Sequence, residues 1–246
     1  MPPDEDGPVW MVNLMSYRER ADYGQGDDGG SSGREADDEY APVDVLRAIG
    51  AKVVFVADVE SQLLGTDPKW DRVAIVRYAT RRSFIEMQSR PDFQEKHVHK
   101  DAGMASTIVM GCVPATTPTP AVTPDWASVP HPPTAEDGPV VVLHLLRFHD
   151  RDQMRGYETA AGAAAGPHGV RPTAWMDVEG TIVGDGRSWD QVRFNAFPSR
   201  RAFAAVVADR TRLAAQVAHR EPAIADTYTL VLRASADRLA DSLEPA

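Results

Sequence analysis

The sequence predicts an α+β protein made of two tandem βαββαβ units whose sheets join as one barrel, an intramolecular pseudo-dimer. Two observations predict it. The stretch from Trp70 to Lys100 reads as a strand, a turn and a helix, and it is written again from Trp189 to Arg220. The elements around both copies fall in one order: strand, helix, strand, strand, helix, strand. A repeat constrains architecture more than any single motif, because each copy must form the same unit.

The matches run in register on a shift of about 119 residues. Asp58-Val59-Glu60 meets Asp177-Val178-Glu179, Gly65 meets Gly184, and Trp70-Asp71 meets Trp189-Asp190. Arg81-Arg82-Ser83-Phe84 meets Arg200-Arg201-Ala202-Phe203. After one inserted residue, His99-Lys100 meets His219-Arg220 and Thr107 meets Thr227. Gly7-Pro8-Val9 meets Gly138-Pro139-Val140 on a larger shift, because the first copy carries a longer loop. The units are 7–113 and 138–234, each near 100 residues, a usual domain size.

Each element has its own signal. Val9 to Tyr17 is a short apolar run with Asn13 as its interior polar residue, and reads as a strand. The Gly-, Ser- and Asp-rich stretch of about 20–39 offers little apolar surface to bury. It reads as a disordered surface insertion or as a lid over a pocket mouth. Tyr40 to Ile49 ends a helix, with Gly50 as its stop. Val53 to Glu60 is a β-branched strand, and Arg72 to Tyr78 is the next. Thr80 caps a helix that Pro91 interrupts and that resumes from Phe93 to Lys100. Thr107 to Val113 closes the unit. Residues 114–137 carry seven prolines and read as an extended linker that Trp126 pins down. The second unit follows, then a short polar tail.

This order is the ferredoxin-like plan: an antiparallel sheet with both helices on one face. The bare face needs a partner, and here the other half of the chain supplies it. The unit could also pair as a homodimer.

Composition excludes several classes. The 246 residues are 43% hydrophobic and 25% charged, ample for a core. A net charge of −10 repels nucleic acid. One cysteine, Cys112, rules out an intrachain disulfide and a multi-cysteine metal site, and its apolar strand suits an inert buried thiol. No apolar run reaches the roughly 18 residues of a membrane span, and the N-terminus lacks a secretory pattern. The expectation is a cytoplasmic protein with no nucleic-acid or membrane partner. Dinucleotide, phosphate-loop and nucleophile-elbow motifs are absent.

The run WDRVAIVRY, a turn and RRSFIEMQSRPDFQ resembles a bacterial family of small ferredoxin-like proteins of unknown function. In that family a strand ends in an aromatic or acidic residue, and a Ser- or Thr-started helix leads to a Ser-Pro-acid-aromatic-Gln step. Here the step is Ser89-Arg90-Pro91-Asp92-Phe93-Gln94, with an arginine inserted. The second copy, Ala208 to Leu213, lacks the proline and the aromatic. The resemblance implies membership of the dimeric α/β-barrel superfamily. That superfamily includes cofactor-free monooxygenases, lactone isomerases, polyketide cyclases and haem-dependent enzymes.

Strand alternation gives the candidate chemistry. Asn13 and His144 hold one repeat position, and Asp58 and Asp177 hold another. Trp175 shares a face with Asp177, and Arg193 shares one with Asn195. Placed on the barrel face among Met, Val, Trp and Phe, this set would line a small-molecule pocket. His144 would move the proton with Asp177 holding its tautomer, and Arg193 or Asn195 would stabilise an oxyanion. Asn13, Asp58, Trp175 and Asn195 would bind substrate. The competing reading makes His144 an ordinary strand residue. His97, His99 and His219 are secondary candidates. His97 and His99 point about 200° apart on a helix, too far to share a metal. The repeated Asp-Val-Glu, Trp-Asp and Arg-Arg steps suit structural roles.

The expected function is a small-molecule enzyme working without nucleotide or metal on an aromatic or polyketide-like substrate, as a monooxygenase, isomerase or cyclase. A non-catalytic binding protein and a haem protein are the alternatives.

Overall fold

The computed structural model describes residues 6–24, 30–120 and 123–244. The first half holds β1 (Val9–Tyr17), α1 (Gly33–Tyr40), α2 (Val43–Ala48), β2 (Lys52–Leu64), β3 (Arg72–Tyr78), α3 (Arg81–Gln88), α4 (Pro91–Gly103) and β4 (Met104–Pro114). The second holds β5 (Val140–Phe148), α5 (Met154–Ala165), β6 (Arg171–Val183), β7 (Gln191–Phe197), α6 (Arg200–Ala208), α7 (Arg210–Ala215), α8 (Glu221–Ala223), β8 (Ile224–Asp237) and α9 (Leu239–Leu243). No helix among the described residues is long and apolar enough to cross a membrane.

The eight strands close into one antiparallel barrel in the order β1-β3-β2-β8-β5-β7-β6-β4. The two sheets meet edge to edge, at β2–β8 and β4–β6, rather than lying apart face to face. Every strand sends side chains to the barrel interior, among them Phe55, Ile75, Met110, Phe194 and Tyr228, and the loops before β3 and β7 add Trp70 and Trp189. Trp70 and Trp189 both pack against Tyr228, with ring centroids 5.7 and 5.4 Å away. The interior is therefore filled by large apolar groups, as in other small barrels.

The recurring Trp-Asp steps make matching contacts. The backbone N–H of Tyr17 donates to Asp71 Oδ2 at 2.7 Å, and that of Phe148 donates to Asp190 Oδ2 at 2.7 Å. Each carboxylate thus ties the end of the first strand of its half to the loop before the third.

Helix starts follow the sequence. Thr80 caps α3 by accepting from Ser83 N, and Ser199 caps α6 by accepting from Ala202 N. Gly50 ends the α2 turn at φ 71°. Trp126 donates to Gly169 O at 2.7 Å and so anchors the linker.

Two expectations need correction. The polar stretch of about 20–39 is not a structureless insertion throughout. Part of it, 25–29, lies outside the described residues, but Gly33–Tyr40 is helical. Ser32 and Glu35 form a reciprocal cap, and Gly33 approaches Gly103 so closely that an added Cβ would meet Gly103 O at 2.3 Å. Tyr17 OH and Arg72 both bond Asp37 of α1, at 2.7 and 3.0 Å. Backbone capping and buried polar contacts order a segment whose composition promised neither. The polar tail is also structured: α9 carries Leu239 into the barrel core, and Trp10 donates to Ser242 Oγ at 2.9 Å.

Candidate active site

Strand register builds the site. Trp175 pairs with Arg193, Arg193 with His144, and His144 with Thr229. Paired residues point to the same side of a sheet, so these four form one row across β6, β7, β5 and β8. Val142 pairs with Asn195 in the next row on that side.

The side is not the barrel interior. The sequence reading put the set on the barrel face; the structure puts it on the outer face, under α5, α6 and α7. Leu143 and Leu145 point into the barrel core instead. The two faces look alike in sequence because helices cover the outer one, so both are apolar.

Between that face and its helices lies a cavity of about 1270 Å³. Trp175, Phe197, Phe203, Val206 and Met154 wall it, and His144, Arg193, Asn195 and Thr229 line it from the sheet. Leu63 and Leu64 of β2 and the linker prolines Pro118, Pro120 and Pro124 complete the wall. The space exists because α5 presents Ala161, Gly162, Ala163 and Ala165 where bulky groups would close it. The first half fills the matching position with Tyr40, Leu46, Phe84, Met87 and Phe93. Its matching row is Val56, Ala74, Asn13 and Val109, with Asn13 the one polar member.

Arg193 is the most constrained group in the row. Its guanidinium lies over the Trp175 ring, 3.7 Å from the centroid. Nη2 reaches Glu158 Oε1 of α5 at 2.7 Å, and Nε donates to Gln191 Oε1 at 2.5 Å. Gln191 Nε2 in turn donates to Asp177 Oδ1 at 2.8 Å. Asp177 also takes Arg151 at 2.5 Å.

Asp177 therefore does not hold His144; it reaches the row one step removed, through Gln191 and Arg193. The ring partner of His144 is Thr229, with Nδ1 and Oγ1 3.1 Å apart. Burial, helped by the positive charges of Arg220, Arg193 and Arg212, lowers the His144 pKa to about 3. The imidazole is neutral at ordinary pH.

The other candidates lie elsewhere. Asn13 Oδ1 accepts from Lys100 Nζ at 3.3 Å beneath the first-half helices. Asp58 is a surface partner of Arg34 at 2.8 Å and Arg72 at 3.5 Å, far from a ligand role. His97 stacks on Phe93 and faces Asp101 at 3.5 Å. His99 meets Tyr23 OH at 2.9 Å and Glu39 at 3.4 Å. His219 is exposed with its ring against Gly156. The two α4 histidines turn to different neighbours, as the helical spacing requires. Among the described residues no group of three or more His, Cys, Asp or Glu side chains could hold a metal ion.

The sequence reading missed Tyr157, Glu158, Arg212, Arg220 and Thr229. Arg220 had a signal, since it matches Lys100 in the repeat. Thr229 had only its register.

The fold and this site define a closed antiparallel α/β barrel with a ligand-sized cavity under one helix layer. No family model matches the chain, and no curated protein matches it. Solved structures do. An anthrone oxidase-like protein is similar over 96% of this chain and 97% of its own, at 13% identity and a TM-score of 0.54. Chlorite dismutase from Candidatus Nitrospira defluvii, in complex with imidazole, is similar over 97% and 94%, at 12% identity and a TM-score of 0.51. The RPA0582 protein of unknown function from Rhodopseudomonas palustris is 32% identical over 45% of this chain and 85% of its own, with a TM-score of 0.42. A putative monooxygenase from Fusobacterium nucleatum is similar over 93% of each chain, at 10% identity and a TM-score of 0.51.

Proposed function

We propose that the chain is a small-molecule enzyme acting on an aromatic or polyketide-like substrate in the cavity between the β5–β8 face and α5–α7, by monooxygenation, isomerisation or cyclisation. One observation carries the reading: an apolar cavity of about 1270 Å³ in which His144, Arg193 and Asn195 converge on one wall. That is the composition of a small-molecule site, somewhat larger than most, and it accommodates several fused rings. Trp175, Phe197 and Phe203 would hold the rings. His144 would accept or return the proton. Arg193, fixed by Glu158, Gln191 and Trp175, would stand beside the developing oxyanion. Asp177 keeps a positioning role through Gln191. An anthrone oxidase-like neighbour agrees with aromatic oxidation.

The matched contacts in the two halves support reading the chain as two copies of one unit, the second of which keeps a cavity where the first packs Tyr40, Leu46, Phe84, Met87 and Phe93.

A haem in the same cavity is the alternative, raised by the chlorite dismutase neighbour. The volume suits a macrocycle, but His144 does not suit iron. It is the imidazole that lines the cavity, burial and three arginines depress its basicity, and its ring partner is the Thr229 hydroxyl rather than a carboxylate. A protein that binds without turnover is the other alternative.

The test is a turnover screen on hydroxylated polycyclic aromatics with wild type and His144→Ala. Loss of turnover with retained binding supports the enzyme. Binding with no turnover by wild type leaves a carrier. A Soret band in the purified protein would overturn the cofactor-free reading.

A further inference from the structure

Two guanidinium groups that line the cavity make no salt bridge among the described residues. Arg212 and Arg220 are 6% and 8% exposed, both line the cavity, and neither has a carboxylate partner among the described residues. Arg212 donates to Tyr157 OH at 2.9 Å, Gln216 Oε1 at 3.1 Å and Val207 O at 2.7 Å, but its Nε has no partner. Arg220 Nη2 has none either. The nearby acids bond elsewhere: Glu158 pairs with Arg193 at 2.7 Å, and Glu221, whose charge reaches Arg220 only at longer range, accepts from Gln216 Nε2 at 3.2 Å. A buried charge without an ion-pair partner is unfavourable, so two of them beside one cavity call for an occupant.

The backbone points the same way. Gln216–Arg220 is a π-helical turn, an uncommon widening often found at functional sites. It ends on His219-Arg220, the pair that one inserted residue somewhere after Phe203 offsets from His99-Lys100. Without that insertion, the first half seats its cation against protein: Lys100 Nζ lies 3.3 Å from Asn13 Oδ1 and 5.2 Å from the Tyr40 ring centroid. In the second half the corresponding cation, Arg220, keeps a free N–H group and lines the open cavity.

We infer that the cavity takes an amphipathic anion: a polycyclic apolar body against Trp175, Phe197 and Phe203, with a carboxylate or other oxyanion seated between Arg212 and Arg220 beside Tyr157. Arginine is suited to this, since its planar fork meets an oxyanion with two parallel hydrogen bonds. The inference rests on the proposed function and narrows its substrate class. It has a consequence for His144. Burial, helped by the charges of these arginines, keeps the imidazole neutral. An anion placed among them offsets part of that charge, so binding should move the ring's pKa upward.

The test compares two probes of one shape, anthraquinone-2-carboxylate and its neutral carboxamide, by calorimetric titration of the wild-type protein. The expected result is a carboxylate affinity about tenfold or more above that of the amide, the scale of a charged hydrogen bond. Arg220→Met should abolish that preference and leave the amide affinity within about twofold. Equal affinity of the two probes for wild type overturns the anion seat while leaving the apolar cavity reading intact. Binding of neither overturns both. The wild-type comparison decides the matter even if the variant does not fold.

Discussion

Arg81 at the start of α3 grips Glu179 on β6 with two bonds, Nη2 to Oε1 at 2.6 Å and Nε to Oε2 at 2.8 Å. Arg200 at the start of α6 grips Glu60 on β2 in the same way, at 2.6 and 3.0 Å. Each clamp crosses from one half of the chain to the other. The repeated Arg-Arg and Asp-Val-Glu steps thus act as reciprocal ties near the two seams of the barrel.

Glu60 is the more heavily loaded end, since Arg233 adds a third bond at 2.6 Å. Partial burial opposes its ionisation, but the bonds from Arg233 and Arg200 prevail and hold its carboxyl below the usual range. A double-mutant cycle on Glu60 and Arg200 should give a coupling of about 0.5–1 kcal/mol, falling as salt is added. Urea unfolding at low and high ionic strength measures it.

His144 sets a pH dependence. Its folded pKa of about 3 lies below the unfolded value of about 6.5. The unfolded chain therefore binds the extra proton between those limits, and stability falls as pH drops from about 6.5 towards 3. The group contributes at most about 1.4 kcal/mol per pH unit in that window. His144→Asn should show a correspondingly shallower loss in denaturant titrations at pH 7, 6, 5 and 4.

Arg193→Lys keeps the charge but not the planar fork that joins Glu158, Gln191 and the Trp175 face. It should destabilise the protein by about 2 kcal/mol and shift the Trp175 emission. Unfolding followed by tryptophan fluorescence reads both effects.

Leu239, 1% exposed, ends the barrel core. Leu239→Ala should cost about 2–4 kcal/mol in thermal or urea unfolding, although the residue lies close to the chain end.

Gly162 sits in α5 where an added Cβ would meet nothing within 4 Å. Gly162→Ala should stabilise the helix by about 0.5–1 kcal/mol and leave probe binding almost unchanged. Differential scanning calorimetry with the anthraquinone pair checks both.

The barrel was legible in sequence because its signals are local and doubled. Asp71 and Asp190, or Thr80 and Ser199, make the same contacts at matching positions, so the signals of the two halves of the chain agree. The site was only half legible. The row of Trp175, Arg193 and His144 followed from strand parity, but parity does not say which face is which. Helix cover makes the outer residues Val142 and Leu146 as apolar as the inner Leu143 and Leu145. The helix-borne partners were hidden for another reason. Tyr157, Glu158, Arg212 and Arg220 are polar residues on surface-like helices, and only docking against the sheet turns them inward. Asp58 and Asp177 mark the converse limit. They occupy one repeat position, yet one pairs with Arg34 and Arg72 at the surface and the other steadies Gln191.

The hydrogen-bonded seams at β2–β8 and β4–β6 leave the sheet without an unpaired border. Cutting the chain in the linker would expose β2 and β4 on one fragment and β6 and β8 on the other. Each would be a template for strand addition. The halves should then either re-pair with one another when co-expressed or clump when made alone. Covalent tethering thus keeps each border matched to the right neighbour, and lets the α5–α7 layer hold a cavity where the first-half helices pack Phe84, Met87 and Phe93.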